Sequence, residues 1–168
     1  MMAKIPLAVA AGLLLASACA AQTRITGTLQ CDKPSPQYTI SVNADAGGAA
    51  RTLLLQQSKC TWSKPLEIGG AKSTDAVDSG IVEADASRSR DTGYDVSSMD
   101  SGDQFTVRYT GMSALDGGVA QKITGTWSFT AGTGKLKGIA GRGTYNGAGN
   151  ADGGVTVQIV GEYQIPKK

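Results

Sequence analysis

Val155-Thr156-Val157-Gln158-Ile159-Val160-Gly161-Glu162-Tyr163-Gln164-Ile165 alternates with a period of two. Val155, Val157, Ile159, Gly161, Tyr163 and Ile165 fall on one side, and a mostly polar set falls on the other. A strand that is apolar on one face and wetted on the other reads this way. Two stretches upstream repeat the pattern. Phe105, Val107 and Tyr109 share a face of Gln104–Thr110, and Ile123, Gly125, Trp127 and Phe129 share a face of Lys122–Thr130. Weaker strands are expected at Thr23–Cys31, Tyr38–Val42, Thr52–Trp62, Gly80–Ala86 and Leu136–Tyr145, about eight in all. Breakers separate them: Ala44–Ala50, Gly69-Gly70, Asp116–Gly118, Gly132–Gly134 and Asn146–Gly154. No stretch after residue 21 sustains a helical stripe, although Gly47–Leu55 has room for one helical turn. The expectation is an all-β chain of antiparallel strands. Closure into a barrel would hide its edges fully, and a two-sheet sandwich would hide them in part.

Composition agrees with this reading and excludes several chemistries. The chain has 168 residues, enough for one domain with a real core. It holds 23 glycines and no histidine. Without histidine there is no Ser-His or Cys-His nucleophile pair, no His base and no His-containing metal site. Lys plus Arg number 16 against 14 Asp plus Glu, a net charge of +2. A chain so close to neutral has little pull on nucleic acid or anionic lipid.

The first residues read as an address. Lys4 is followed by an apolar run from Leu7 to Ala16, and Ala18-Cys19-Ala20 fits a small-residue cleavage site. The run is too short for an ordinary spanning helix, which needs about 20 residues. Residues 1–20 are expected to be a signal peptide and 21–168 the folded domain, in a periplasmic or secreted protein with no membrane span. Lipid anchoring through Cys19 is the lesser alternative, because Leu15 lies one place too early for that motif. Cys31 and Cys60 are then the remaining cysteines, and an exported chain pairs such residues. Closing a loop of about 29 residues contributes about 3.6 kcal/mol in the chain-entropy account.

Gly132-Thr133-Gly134-Lys135-Leu136-Lys137-Gly138-Ile139-Ala140-Gly141-Arg142-Gly143-Thr144-Tyr145 follows Trp127-Ser128-Phe129. This run resembles the glycine-rich element of allene oxide cyclase-like and dirigent barrels, also seen in small secreted bacterial proteins of unknown role. The resemblance covers Ile123 to Ile165. It implies a single antiparallel, eight-stranded, calycin-like barrel with this element as a hairpin, and it allows self-association, since trimers occur among such barrels. It assigns no catalytic residue. The residues themselves make local sense. Leu136 and Ile139 are apolar anchors, and the glycines remove side chains where a coiled strand would clash. Neither phosphate-loop pattern fits.

Three function classes follow. The leading one is a binding protein that holds a small hydrophobic ligand inside the barrel, lined by Phe105, Tyr109, Trp127, Phe129 and Tyr163. The second is a structural or interaction protein of the cell envelope with a filled core, which predicts no pocket and a large exposed apolar patch or a homo-oligomer interface. The third is a cyclase or isomerase, which needs a carboxylate or tyrosine inside the barrel, with Glu83 and Asp85 as candidates. The acidic residues between Asp75 and Asp103 otherwise read as a solvated face with Arg88 and Arg90 intermixed. No metal site, cofactor or nucleic-acid partner is expected.

Overall fold

The computed structural model describes residues 22–42 and 50–166. The expected signal peptide, Cys19 and residues 47–49 of the expected helical turn lie outside the described residues. The chain forms β1 (Thr23–Cys31), β2 (Gln37–Val42), β3 (Arg51–Lys64), β4 (Glu67–Ile68), β5 (Ala71–Ala84), β6 (Arg88–Met99), β7 (Gln104–Asp116), β8 (Val119–Gly132), β9 (Ala140–Gly149) and β10 (Val155–Gln164). A single 3-10 turn, Gly134–Leu136, joins β8 to β9. Residues 51–55 are strand rather than helical turn.

Eight of these strands close on themselves in the order β3-β1-β10-β9-β8-β7-β6-β5, and β5 pairs back onto β3. The ladder is antiparallel throughout, so this is the eight-stranded antiparallel barrel. The three strongly alternating stretches became β7, β8 and β10, with their apolar faces inward. The expected Leu136–Tyr145 strand begins later, at Ala140, because Leu136 and Ile139 tuck under the barrel as buried anchors. Of the expected strand Gly80–Ala86, Gly80–Ala84 is the far end of a longer strand, β5, and residues 85–86 lie in the turn that follows.

The two ends of the barrel differ. One is stopped by side chains: Leu66, Ile68, Met99, Phe105 and Leu136 are all buried there. The stop is tied by backbone and side-chain bonds. Leu66 N–H donates to Ser73 Oγ at 2.8 Å, and Lys135 N–H donates to Asp103 at 3.2 Å. The other end is a mouth ringed by the turns after β5, β7 and β9 and by the chain between β1 and β2. Here β2 continues the line of β1 along β3, past the point where β1 ends.

Cys31 and Cys60 are directly opposite on β1 and β3 and form a disulfide. It pins two strands whose mutual pairing covers only Thr28–Cys31 on the β1 side. Replacing both cysteines by serine is expected to lower the unfolding free energy by about 3 to 4 kcal/mol, read from urea midpoints with and without reductant. An equal midpoint for both proteins under oxidising conditions would contradict this.

The glycine-rich element owes its composition to close approach. A side chain at Gly143 would run into the backbone of Val160 and Gly161 on β10, and into the indole of Trp127. Gly138 turns the chain with φ +79, a region that disfavours side chains.

Candidate functional site

The barrel interior is not filled. A chamber of about 460 Å³ runs from the mouth down to Phe105. Its two walls differ in chemistry. On β7, β8 and β10 the chain presents Val107, Ile123, Trp127, Phe129, Val157 and Ile159. These are the inward faces of the alternating strands. The rings pack edge to face: Trp127 on Phe129 at 5.1 Å and 83°, and Phe105 on Phe129 at 5.4 Å and 79°.

The facing wall is acidic. On β6, Ser89, Asp91, Gly93, Asp95 and Ser97 point inward, while Tyr94 and Val96 point to solvent. This reverses the usual alternation. On β5 the inward set includes Asp78, and Asp78 lies directly opposite Asp95 in the strand register. Opposed side chains on neighbouring strands stand about 5 Å apart at Cβ. Asp91 sits nearer the mouth, four residues from Asp95 along β6, roughly 13 Å. Asp78, Asp91 and Asp95 all line the chamber.

Two tyrosines reach across to these acids. Tyr145, on β9, donates its hydroxyl to Asp91 Oδ2 at 3.0 Å. Tyr109, on β7, places its hydroxyl against Asp78 as a hydrogen-bonding partner. The two phenols meet edge to face at 6.1 Å. They lie over a floor of glycines. A side-chain carbon at Gly80 or Gly93 would strike the Tyr109 hydroxyl, and one at Gly111 or Gly125 would strike Tyr145. The glycines thus leave the room that the phenols occupy.

Asp95 is the most enclosed acid, with 5% of its surface exposed. Ser97 Oγ donates to its Oδ1 at 2.6 Å and in turn accepts from Trp62 Nε1 at 3.1 Å. Its Oδ2 is buried without a protein partner, as is Asp91 Oδ1. Buried polar atoms are nearly always bonded, so two orphaned acceptors in one chamber are notable.

Burial penalises the charged carboxylates. It pushes Asp95 up to about 7, against the Ser97 hydrogen bond, and the charge of Asp78 adds to the rise. Asp78 is pushed up to about 6 by burial, opposed by Tyr109, with the charge of Asp91 adding. Asp91 is also raised by burial, opposed by its Tyr145 bond. Burial and the neighbouring carboxylates raise both phenols, so Tyr109 and Tyr145 remain protonated donors. Among the described residues, Lys33 at the mouth is the only Lys or Arg that lines the chamber, with Asp32 beside it. Such a wall can donate or accept hydrogen bonds near neutral pH and can neutralise a positive charge.

The structure brings Phe105, Tyr109, Trp127 and Phe129 to the chamber. Tyr163 is elsewhere: its hydroxyl accepts from Gly69 N–H at 3.1 Å, at the stopped end. Glu83 and Asp85 are not inside. Glu83 is on the outer face of β5 and pairs with Arg51. Asp85 caps the turn into β6, accepting from the N–H of Ser87 at 2.8 Å and of Arg88 at 3.0 Å. That turn bonding holds its carboxyl below the usual range. The solvated reading of the acidic stretch therefore fits Asp75, Asp100 and Asp103, which are not buried, and fails at Asp78, Asp91 and Asp95. Asn150 and Asp152 stabilise the β9–β10 hairpin, bonding Thr156 and the N–H of Gly154. No group of three metal-ligating side chains occurs among the described residues.

No protein-family profile matches the chain, and no curated protein matches it. Among solved structures it is similar to a protein of unknown function of the DUF3224 family from Shewanella oneidensis. That likeness has 13% identity over 88% of this chain and 100% of the other, with a TM-score of 0.48. It is also similar to the pterocarpan synthase dirigent protein, at 12% identity over 88% of this chain and 97% of the other, with a TM-score of 0.49. A protein of unknown function from Clostridium acetobutylicum gives 13%, 86%, 100% and 0.45 for the same quantities. These likenesses concern the fold, and the barrel and its chamber rest on the strand pairing described above.

Proposed function

We propose that this barrel is an exported binding protein that holds a small molecule with an apolar body in its chamber. The observation that carries the reading is the chamber itself. It has about 460 Å³ of space, one stopped end, one mouth, and an aromatic wall of Phe105, Trp127 and Phe129. Ligand sites in small barrels are concave and mostly apolar, with a few placed polar groups. Export is supported by the Cys31–Cys60 disulfide, which suits an oxidising compartment, and by the leader-like residues 1–20. No helix among the described residues is long and apolar enough to cross a membrane.

Two measurements test this. Native mass spectrometry of protein purified from the host's own envelope or medium is expected to show extra mass that leaves on denaturation. Titration with 4-phenylbutan-1-ol is expected to change tryptophan emission, since Trp62 and Trp127 both line the chamber. For so small a ligand the dissociation constant should be on the order of 100 µM. A clean polypeptide mass together with unchanged emission at millimolar alcohol would overturn the reading.

A second reading has its own observation. On the outer face, Tyr38 and Ile40 on β2 stand opposite Leu55 and Leu53 on β3, and Leu55 stands opposite Ile81 on β5. All five are exposed, and β2 is at the sheet edge. Exposed apolar strands at an edge favour pairing with another chain. Self-association through this patch is expected to give a dimer or larger species by sedimentation that Ile81→Lys returns to monomer. A wild type that sediments as a monomer at about 100 µM would exclude it.

A further inference from the structure

Resting on the binding reading above, we propose that the chamber selects ligands that carry a protonated amine on their apolar body, the amine seating between Asp78 and Asp95. Three features of geometry lead there. Asp78 and Asp95 oppose each other across β5 and β6 and both face the chamber. Asp95 Oδ2, deeply buried, has no protein partner. The aromatic wall lies across the same space, where a ring or alkyl chain finds Trp127 and Phe129.

The charge inventory makes an amine the fitting head group. The groups facing the Asp78–Asp95 pair are Asp91 from β6, Tyr109 from β7 and Tyr145 from β9, none of them a cation. Lys33 and Asp32 stand at the mouth, and Lys33 runs its stem along Gly153. Two like charges at this separation in a low-dielectric site repel, and burial already disfavours each. A single ammonium between them offsets both penalties and has three donors for their lone pairs. A hydroxyl supplies one donor and no charge. A carboxylate adds a further negative charge to a negative site. The protonation states give the sign of the pH effect. Asp78 and Asp95 are pushed up to about 6 and about 7, so both carry protons at pH 5 and lose them by pH 8. Amine affinity should therefore rise across that interval while the amine stays protonated.

The test uses three ligands of one shape: 4-phenylbutan-1-amine, 4-phenylbutan-1-ol and 4-phenylbutanoate. Each is titrated into the whole protein by tryptophan emission at pH 5 and pH 8. At pH 8 the amine is expected to bind at least about ten-fold more tightly than the alcohol, and the carboxylate most weakly. The amine-to-alcohol ratio should shrink several-fold at pH 5. In Asp78→Asn/Asp95→Asn protein it should collapse to near one at pH 8. Equal binding of amine and alcohol to wild type at pH 8 overturns the amine inference and leaves the binding reading standing. Failure of all three to bind overturns the amine inference, and together with a clean native polypeptide mass it overturns the binding reading as well. A strong amine preference that survives the double substitution, or does not change with pH, also overturns the proposed seat.

Discussion

Asp95→Asn is expected to stabilise the protein by a few kcal/mol at pH 8 and to change its stability little at pH 4. The carboxyl is raised from 3.8 to about 7 by burial, so the folded state holds its proton to higher pH than the unfolded chain does. Between those two values the folded protein binds more protons than the unfolded one, and stability falls as pH rises. The favourable contribution is complete below about pH 4 and is lost as pH passes through about 7. A rise of about 3 pH units corresponds to roughly 4 kcal/mol at most, given about 1.36 kcal/mol per unit. The amide keeps the shape of the protonated acid and cannot ionise. Urea midpoints of both proteins from pH 4 to pH 8 give the difference curve, in which carboxylates that do not interact with Asp95 cancel and the Asp78 coupling remains. A difference that does not vary with pH would mean that Asp95 is not held back from ionising. A variant less stable than wild type at pH 8 would mean the same.

Gly111→Ala is expected to cost about 1 to 3 kcal/mol, the usual range for forcing extra volume into a packed site. Its added carbon would strike the Tyr145 hydroxyl and come within 2.9 and 3.0 Å of the Asp91 carboxyl oxygens. The obstructing atom is the end of a side chain, so it can be removed. In a Tyr145→Phe background the same substitution should cost at least about 1 kcal/mol less, a coupling measured by a double-mutant cycle. Gly143→Ala provides the contrast. There the added carbon meets the backbone of Val160 and Gly161, and Tyr145→Phe should give no relief. Equal costs for Gly111→Ala in both backgrounds would show that the phenol does not lie over that glycine.

Period-two alternation reveals a strand when its buried face is apolar, and β7, β8 and β10 were legible for that reason. Phe105, Trp127 and Phe129 could be placed inside from the sequence alone. Strand β6 escaped because its pattern is reversed. It buries Ser89, Asp95 and Ser97, half-buries Asp91, and shows Tyr94 and Val96 to water. Read by hydropathy, Arg88–Met99 is a polar loop, and its acids look solvated. The signal was present in another form. Asp91, Gly93 and Asp95 share a parity with Ser89 and Ser97, and small polar residues at every second place are what a wet interior wall requires. The partners of those acids could not be read. Asp78 meets Asp95 only through the β5–β6 register, and Tyr145 reaches Asp91 from 54 positions away, across two glycines. The glycines of the motif were expected to permit close strand coiling, and Gly143 does. Gly111 and Gly125, which lie outside that motif on β7 and β8, make space for a phenol.

The measurement closest to the central claim is a methyl-resolved NMR titration with 4-phenylbutan-1-ol. The barrel separates its methyls into two sets. Val107, Ile123, Val157 and Ile159 face the chamber. Leu53, Leu55, Ile81, Val96 and Val160 are exposed on the outside. A ligand held inside should shift the first set in a saturable way and leave the second unmoved. Shifts confined to the outer methyls, or none in either set at millimolar alcohol, would contradict a chamber that takes a ligand.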